Sequence, residues 1–153
     1  MKKQFLRIAV CLLVSSTVFM ACNKDDNNTP VGSELYQRLG GNAGITKVVD
    51  DGVGIVVADP QLAPYFAITI QSQERVDDLK ANIVDLLGQT VGGPEVYTGL
   101  SMKAAHVGMG ISDDDFTKFL VDFTQALQEN GVSADDQATI GAALEALRPD
   151  IVE

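Results

Sequence analysis

The chain has 153 residues, and its 21 acidic against 11 basic side chains give it a formal charge of −10. This length predicts one domain with a real hydrophobic core. The negative charge argues against nucleic-acid binding, which requires a basic face. The only histidine, His106, excludes a metal cage built from histidines alone, because such a cage takes several of them.

The chain begins with the pattern of a secretory signal peptide. Three basic residues within the first seven precede an apolar run, and the small residue Ala21 precedes Cys22. The run is shorter than the ~20 apolar residues of a comfortable transmembrane helix. An uncleaved anchor helix remains the alternative.

The residues around the expected cleavage site resemble the lipobox of bacterial lipoproteins, in which a cysteine becomes the lipidated first residue. The segment is Val18-Phe19-Met20-Ala21-Cys22, and its phenylalanine departs from the usual leucine. Asn23-Lys24-Asp25-Asp26 is similar to the lysine–acidic–acidic export tag of some surface lipoproteins. We expect a signal peptide at 1–21, a lipid anchor and flexible polar tether at 22–32, and a domain at 33–153. The protein is then expected on a bacterial membrane, in the periplasm or at the cell surface.

Helical patterns follow the tether. Ser33 is predicted to cap a short helix over 34–39, which Gly40-Gly41 closes. A second helix is predicted over 44–58, because its length and charged residues outweigh a β-branched content that could suggest a strand. A third, over 73–91, has one apolar stripe and ends at Gly92-Gly93-Pro94.

The second half of the domain has the same character. A short helix over 101–107 carries His106. Ser112 and Asp115 have the spacing of a capping box and predict the start of a longer helix. The last helix is expected to start after Ser133 and to bend or fray at Pro149. No segment shows a convincing alternation of period two, so the predicted fold class is all-α.

The neighbours of His106 are small or apolar, which is typical of a histidine at the edge of a core. A serine nucleophile lacks its G-x-S-x-G turn, and no glycine-rich phosphate loop is present. One cofactor does need a single histidine among apolar helices, namely haem with a proximal imidazole ligand. The candidate apolar lining is equally consistent with ordinary core and comprises Phe66, Leu79, Ile83, Leu87, Met102, Ile111, Phe116, Phe119 and Leu144.

Over about residues 34–152 the chain resembles the group I truncated haemoglobins. The matching motifs, in chain order, are Leu35-Tyr36-Gln37-Arg38-Leu39-Gly40-Gly41, Val48-Val49-Asp50-Asp51, Ala58-Asp59-Pro60-Gln61-Leu62-Ala63-Pro64-Tyr65-Phe66, Gly92-Gly93-Pro94-Glu95-Val96-Tyr97-Thr98-Gly99 and Met102-Lys103-x-x-His106. The resemblance implies a two-over-two helical sandwich around haem b. It makes His106 the proximal iron ligand through Nε2, with Nδ1–H on a backbone oxygen. It also places Phe66 against the haem.

The chain departs from this family on the distal side. The family usually has Phe-Tyr after Val-Val-Asp-Asp, and that tyrosine hydroxyl bonds iron-bound oxygen, whereas Gly52-Val53 stand here. The usual distal glutamine position falls on Ile83, with Leu79 four residues earlier. The implied distal wall of Val53, Leu79 and Ile83 has no hydrogen-bond donor. The segment 67–74 is longer than is usual, and three of its side chains could return a polar group: Thr69, Gln71 and Gln73.

The resemblance implies binding of O₂, NO or CO. Conversion of NO and bound O₂ to nitrate needs repeated reduction of the iron, and a lipoprotein outside the cytoplasm lacks cytosolic reductases. Gas or haem binding is therefore favoured over sustained NO dioxygenation, which stays open as an activity. The alternative is a surface haem carrier that exchanges haem with a donor or acceptor protein, or a globin-fold lipoprotein with little or no gas chemistry.

A six-coordinate iron would need one of three side chains as its second protein ligand: Lys80, Met102 or Met109.

Overall fold

The computed structural model describes residues 31–153. The predicted signal peptide (1–21) and residues 22–30 of the predicted anchor and tether lie outside the described residues. Within 31–153 no helix is long and apolar enough to cross a membrane. This part of the chain is helical without strands, which confirms the predicted class, and its α-helices are α1 (Glu34–Arg38), α2 (Gly41–Ala58), α3 (Gln73–Thr90), α4 (Met102–His106), α5 (Asp113–Glu129), α6 (Ala134–Glu145) and α7 (Arg148–Ile151).

Serine side chains fix the starts of four helices. Ser33, Ser101, Ser112 and Ser133 precede α1, α4, α5 and α6, and each hydroxyl accepts a hydrogen bond from a backbone N–H in the first turn. This satisfies one of the donors that a helix start leaves unpaired. At α5 the Asp115 carboxylate reciprocates, so the capping box predicted from the sequence is confirmed.

Two helix boundaries differ from the sequence prediction. α2 begins at Gly41 rather than near Gly44, because Gly40 takes a left-handed φ of 86° and its carbonyl accepts a hydrogen bond from the Gly44 N–H at 3.3 Å. The last predicted helix is divided into α6 and α7. Pro149 lies in the first turn of α7, where a missing N–H costs no helical hydrogen bond.

Helix α2 is the centre of the packing. It lies against α3 on one side and α5 on the other, while α6 packs on α5, which gives the expected two-over-two arrangement. The most deeply buried side chains come from these pairs and are Ile45, Val49, Leu127 and Ile140. Gly52 lets α2 approach α5 closely, because a Cβ atom there would lie 3.1 Å from the Phe123 ring.

The long connection from α3 to α4 is held against α1. The Glu95 Oε1 atom accepts hydrogen bonds from the Tyr36 hydroxyl at 2.6 Å and from Asn42 Nδ2 at 2.9 Å. This hydrogen bond to Glu95 raises the pKa of Tyr36. Gly93 passes so close that a Cβ atom would lie 2.2 Å from Glu95 Oε2. The segment that leads into α4 is therefore anchored before α4 begins.

Two glycines of α2 provide a matched pair of stability tests. A Cβ atom at Gly44 would lie 1.8 Å from the Leu39 carbonyl oxygen, whereas one at the exposed Gly54 would meet nothing within 4 Å. We expect Gly54→Ala to raise the free energy of unfolding by about 0.5–1 kcal/mol through helix propensity. Gly44→Ala should lower it by about 2 kcal/mol or more, because the helix start must shift. Urea denaturation of both variants measures the difference, and equal effects would contradict the described start of α2.

Candidate functional site

A cavity of about 480 Å³ opens between α2, α3, α4 and α5. All ten residues that the sequence proposed for a cofactor site line this one cavity, although they come from helices α3, α4, α5 and α6, from the short 3₁₀ helix Ala63–Phe66 and from the loop before α5. They are Phe66, Leu79, Ile83, Leu87, Met102, His106, Ile111, Phe116, Phe119 and Leu144. The apolar stripes of α3 and α5 thus turn toward a common space rather than only toward one another.

The cavity is also lined by residues that were not among the ten proposed from the sequence. Two apolar ones continue the predicted stripes, since Val56 lies one turn after Val53 on α2 and Leu86 follows Ile83 on α3. Helical spacing alone could have found them. Four polar ones carry no such signal, and they are Asn82, Thr90, Tyr97 and Asp115.

His106 is the last residue of α4, half-buried, and its ring lines the cavity. Its Nδ1 atom lies 2.7 Å from the Met102 carbonyl oxygen. A carbonyl oxygen only accepts, so Nδ1 carries the hydrogen, and in the neutral ring Nε2 keeps its lone pair. Among the described residues no hydrogen-bond partner is found for Nε2. The ring is therefore oriented through one nitrogen and chemically available at the other.

The wall that α2 and α3 contribute has no hydrogen-bond donor at the three positions singled out from the sequence. Val53, Leu79 and Ile83 all line the cavity. Lys80, which the sequence left open as an iron ligand, is not part of the lining and instead pairs with Asp50 at 2.9 Å. Met102 and Met109 do line the cavity.

The segment after Phe66 brings one of its three suggested polar residues to the cavity. Thr69 lies in the lining. Gln71 donates to the Ala67 carbonyl at 3.0 Å, and Gln73 donates to Asp77 at 2.8 Å. Both glutamines are thus used within their own segment, and neither lines the cavity.

The other polar groups of the lining are also engaged. Asn82 donates through Nδ2 to the Asp78 carbonyl at 2.8 Å, and the Tyr97 hydroxyl donates to the Leu100 carbonyl at 2.6 Å. Thr90 donates to the Leu86 carbonyl at 2.6 Å. Each of these side chains therefore uses one hydrogen on a nearby backbone carbonyl, and Asn82 Nδ2 carries a second hydrogen.

Asp115 ties the turn that carries Phe66 to the start of α5. Its Oδ2 atom accepts from the Tyr65 hydroxyl at 2.8 Å and from the Ser112 hydroxyl at 2.6 Å, and its Oδ1 atom accepts from Gln61 Nε2 at 2.9 Å. These hydrogen bonds, led by Ser112, hold the pKa of Asp115 far below its usual value. The hydrogen bond from the Tyr65 hydroxyl to Asp115 also raises the pKa of Tyr65. The position of Phe66 is therefore fixed by its neighbour.

The chain matches a known protein family and several known relatives over most of the described residues. Residues 34–153 match the family model described as "Bacterial-like globin". The chain is 32% identical over 119 residues to group 1 truncated hemoglobin GlbN of Mycolicibacterium paratuberculosis, across 78% of this chain and 84% of the relative. It is 34% identical over 104 residues to GlbN of Nostoc sp., across 68% of this chain and 84% of the relative.

Solved structures agree in fold. The truncated hemoglobin of Tetrahymena pyriformis in its Fe(III) form superposes with a TM-score of 0.69 at 25% identity, over 77% of this chain and 97% of the other. The 2/2 hemoglobin of Synechococcus sp. PCC 7002, in the cyanomet state with covalently attached heme, gives 0.69 at 26% identity, over 78% and 98%.

Proposed function

The chain belongs to the bacterial-like globin family and is related to the group 1 truncated hemoglobins, and we propose that it binds haem b through His106 and a diatomic gas at the iron. The observation that carries this proposal is the state of His106. It lines the cavity, its Nδ1 is held by the Met102 carbonyl, and its Nε2, which carries a lone pair in the neutral imidazole, has no hydrogen-bond partner among the described residues.

The cavity fits a large, flat and mostly apolar group. Its volume of about 480 Å³ lies within the range of cofactor sites. Its walls are mainly aliphatic and aromatic, and apart from His106 itself, Asp115 is the only acidic or basic side chain among the described residues that line it. When bound, haem iron supplies a coordination position open to a gas molecule. The Met102 carbonyl orients the imidazole.

Val53, Leu79 and Ile83 are proposed as the distal wall. Bound O₂ carries partial negative charge and is stabilised by a donor, whereas CO gains little from one. None of these three side chains can donate, and most of the other donors at the cavity are used by backbone carbonyls. Thr69 is the remaining candidate from the segment after Phe66. We therefore infer weak retention of O₂, ready oxidation of the iron, and relative preference for CO or NO.

The proposed location favours gas or haem binding over turnover. We propose that residues 1–21 are removed and that lipid on Cys22 holds the domain through a polar tether at 22–32. This rests on the lipobox-like sequence and on the composition of that segment. A domain outside the cytoplasm lacks cytosolic NAD(P)H reductases, so repeated NO dioxygenation would have no electron supply there.

His106→Ala tests the ligand assignment. The wild-type protein titrated with haem should develop a Soret band and a five-coordinate ferrous spectrum. The variant should lose both, and added imidazole should restore them because it replaces the missing side chain. An unchanged Soret band in the variant would reject His106 as ligand.

A second experiment separates gas binding from haem transport. Rapid transfer of haem from the wild-type protein to an apo-acceptor would favour the haem-carrier alternative.

Ile83→Gln tests the distal wall, with Ile83→Met as a control of similar shape and no donor. The wild-type ferrous protein should release O₂ fast. A new hydrogen bond of ~1.5–3 kcal/mol should slow that release by roughly tenfold to 150-fold in the glutamine variant only. Stopped-flow displacement of O₂ by CO measures the rates. Slow release by the wild-type protein, or equal slowing in both variants, would contradict a donor-free distal wall.

Cys22→Ser tests the anchor. Expressed with its own leader, the wild-type protein should sediment with membranes and need detergent for release, while the variant should be released without detergent. Fractionation followed by mass spectrometry of the first peptide measures both location and lipid. A variant that remains in the membrane fraction with residues 1–21 attached would instead support the uncleaved anchor helix.

A further inference from the structure

The backbone that follows His106 is a glycine-rich turn. Gly108 and Gly110 both take left-handed φ values, 78° and 66°, and the Met109 N–H donates to the His106 carbonyl at 3.1 Å. Glycine has access to many backbone conformations, so such a turn does not fix itself. Its conformation must come from contacts outside the turn.

Glu153 supplies those contacts from the far end of the domain. Its Oε1 atom accepts from the Gly108 N–H and its Oε2 atom accepts from the Gly110 N–H, both at 2.8 Å. Its own N–H donates to the Ile111 carbonyl at 2.9 Å. Successive N–H groups that converge on one carboxylate form an anion-binding concavity, and charge-assisted hydrogen bonds of this kind are the stronger ones.

The segment that presents Glu153 is itself fixed on α5. Ile151 is buried with Ile111 and Phe116 in a small apolar cluster, and Met102 of α4 packs against the same cluster. Arg148 lies over the Phe116 ring at 4.7 Å and pairs with Asp113 at 2.8 Å. The Glu153 carboxylate therefore reaches the turn from a rigid support.

We propose that Glu153 is a positioning residue for His106, acting by clamping the turn that follows α4. Helix α4 has five residues, and a helix of this length has too few hydrogen bonds to hold its own end. His106 is that end. With Glu153 in place the turn has one conformation, and the imidazole keeps one direction into the cavity. The role toward iron rests on the proposed function, whereas the clamp is a property of the chain alone.

The clamp is tested first without haem. In the apo protein, hydrogen–deuterium exchange by NMR should show protected amides at Gly108 and Gly110. Glu153→Ala should expose both, and Glu153→Gln, which keeps one acceptor oxygen, should leave partial protection. Asp150→Ala is the matched control, because it removes an exposed carboxylate of the same segment. Unprotected amides in the wild-type protein would overturn the clamp.

The positioning role is tested with haem bound. In the ferrous protein the Fe–His stretching band in resonance Raman should shift or broaden in Glu153→Ala, and haem transfer to an apo-acceptor should become several-fold faster. Glu153→Gln should lie between, and Asp150→Ala should match wild type. A tail that only adds stability would lower the unfolding midpoint and leave the Fe–His band unchanged, and that result would overturn the positioning role. If the wild-type protein binds no haem, the proposed function and this role fail together, while the exchange experiment still decides the clamp.

Discussion

The orientation of one imidazole on a five-residue helix is the constraint on which the rest of the domain depends. Helix α4 is too short to be stable alone, so the direction of His106 depends on contacts at both ends of the helix as well as on the Met102 carbonyl within it. The Met102 carbonyl holds the ring. The segment before α4 is anchored to α1 through Glu95 and Tyr36, and the turn after it is held by Glu153. Both flanks of the helix are thus tied to distant parts of the chain.

A second constraint is the closeness of α2 to α5. Gly52 allows that approach, and it costs helix stability relative to alanine at the same position. It stands next to Val53, which is apolar and also lines the cavity. These neighbouring residues leave the α2 side of the cavity without a side-chain hydrogen-bond donor. Packing and polarity of the cavity are therefore set together by two adjacent residues.

Helix starts and apolar helix faces could be predicted, because they depend on residues that are close together in the sequence. Three of the four serine-capped helix starts, those at Ser33, Ser112 and Ser133, follow from the sequence, because a cap involves a side chain and a backbone group three residues apart. The helix predicted over 101–107 included Ser101, which caps α4 in the structure. The lining of the cavity follows from periodicity, since α3 and α5 each have one apolar face. The earlier start of α2 did not follow, because it depends on the left-handed φ of Gly40. The contacts of Gln71 and Gln73 also escaped prediction, because they depend on the path of an irregular segment.

Contacts between residues that are far apart along the chain could not be predicted from sequence patterns. Glu153 lies 43 residues from Gly110, and neither its residue type nor its spacing marks it as a partner of a glycine turn. The same holds for Glu95 and Tyr36, which are 59 residues apart. The fold and the lining were therefore predictable, while the supports that orient His106 were not. They emerge only when the ends of the domain are brought together by packing.

The distal wall and the groups that hold His106 have different chemical consequences in the proposed haem site. A distal donor discriminates among gases, because it stabilises a ligand with partial negative charge more than a neutral one. In the proposed site His106 would hold the iron whichever gas is bound, so the orientation of its ring would affect the binding of every gas. In the proposed haem site the distal wall provides little discrimination, so affinity is governed mainly from the His106 side. The groups that hold His106, rather than those that line the distal wall, are then where the chain sets how tightly any gas is held.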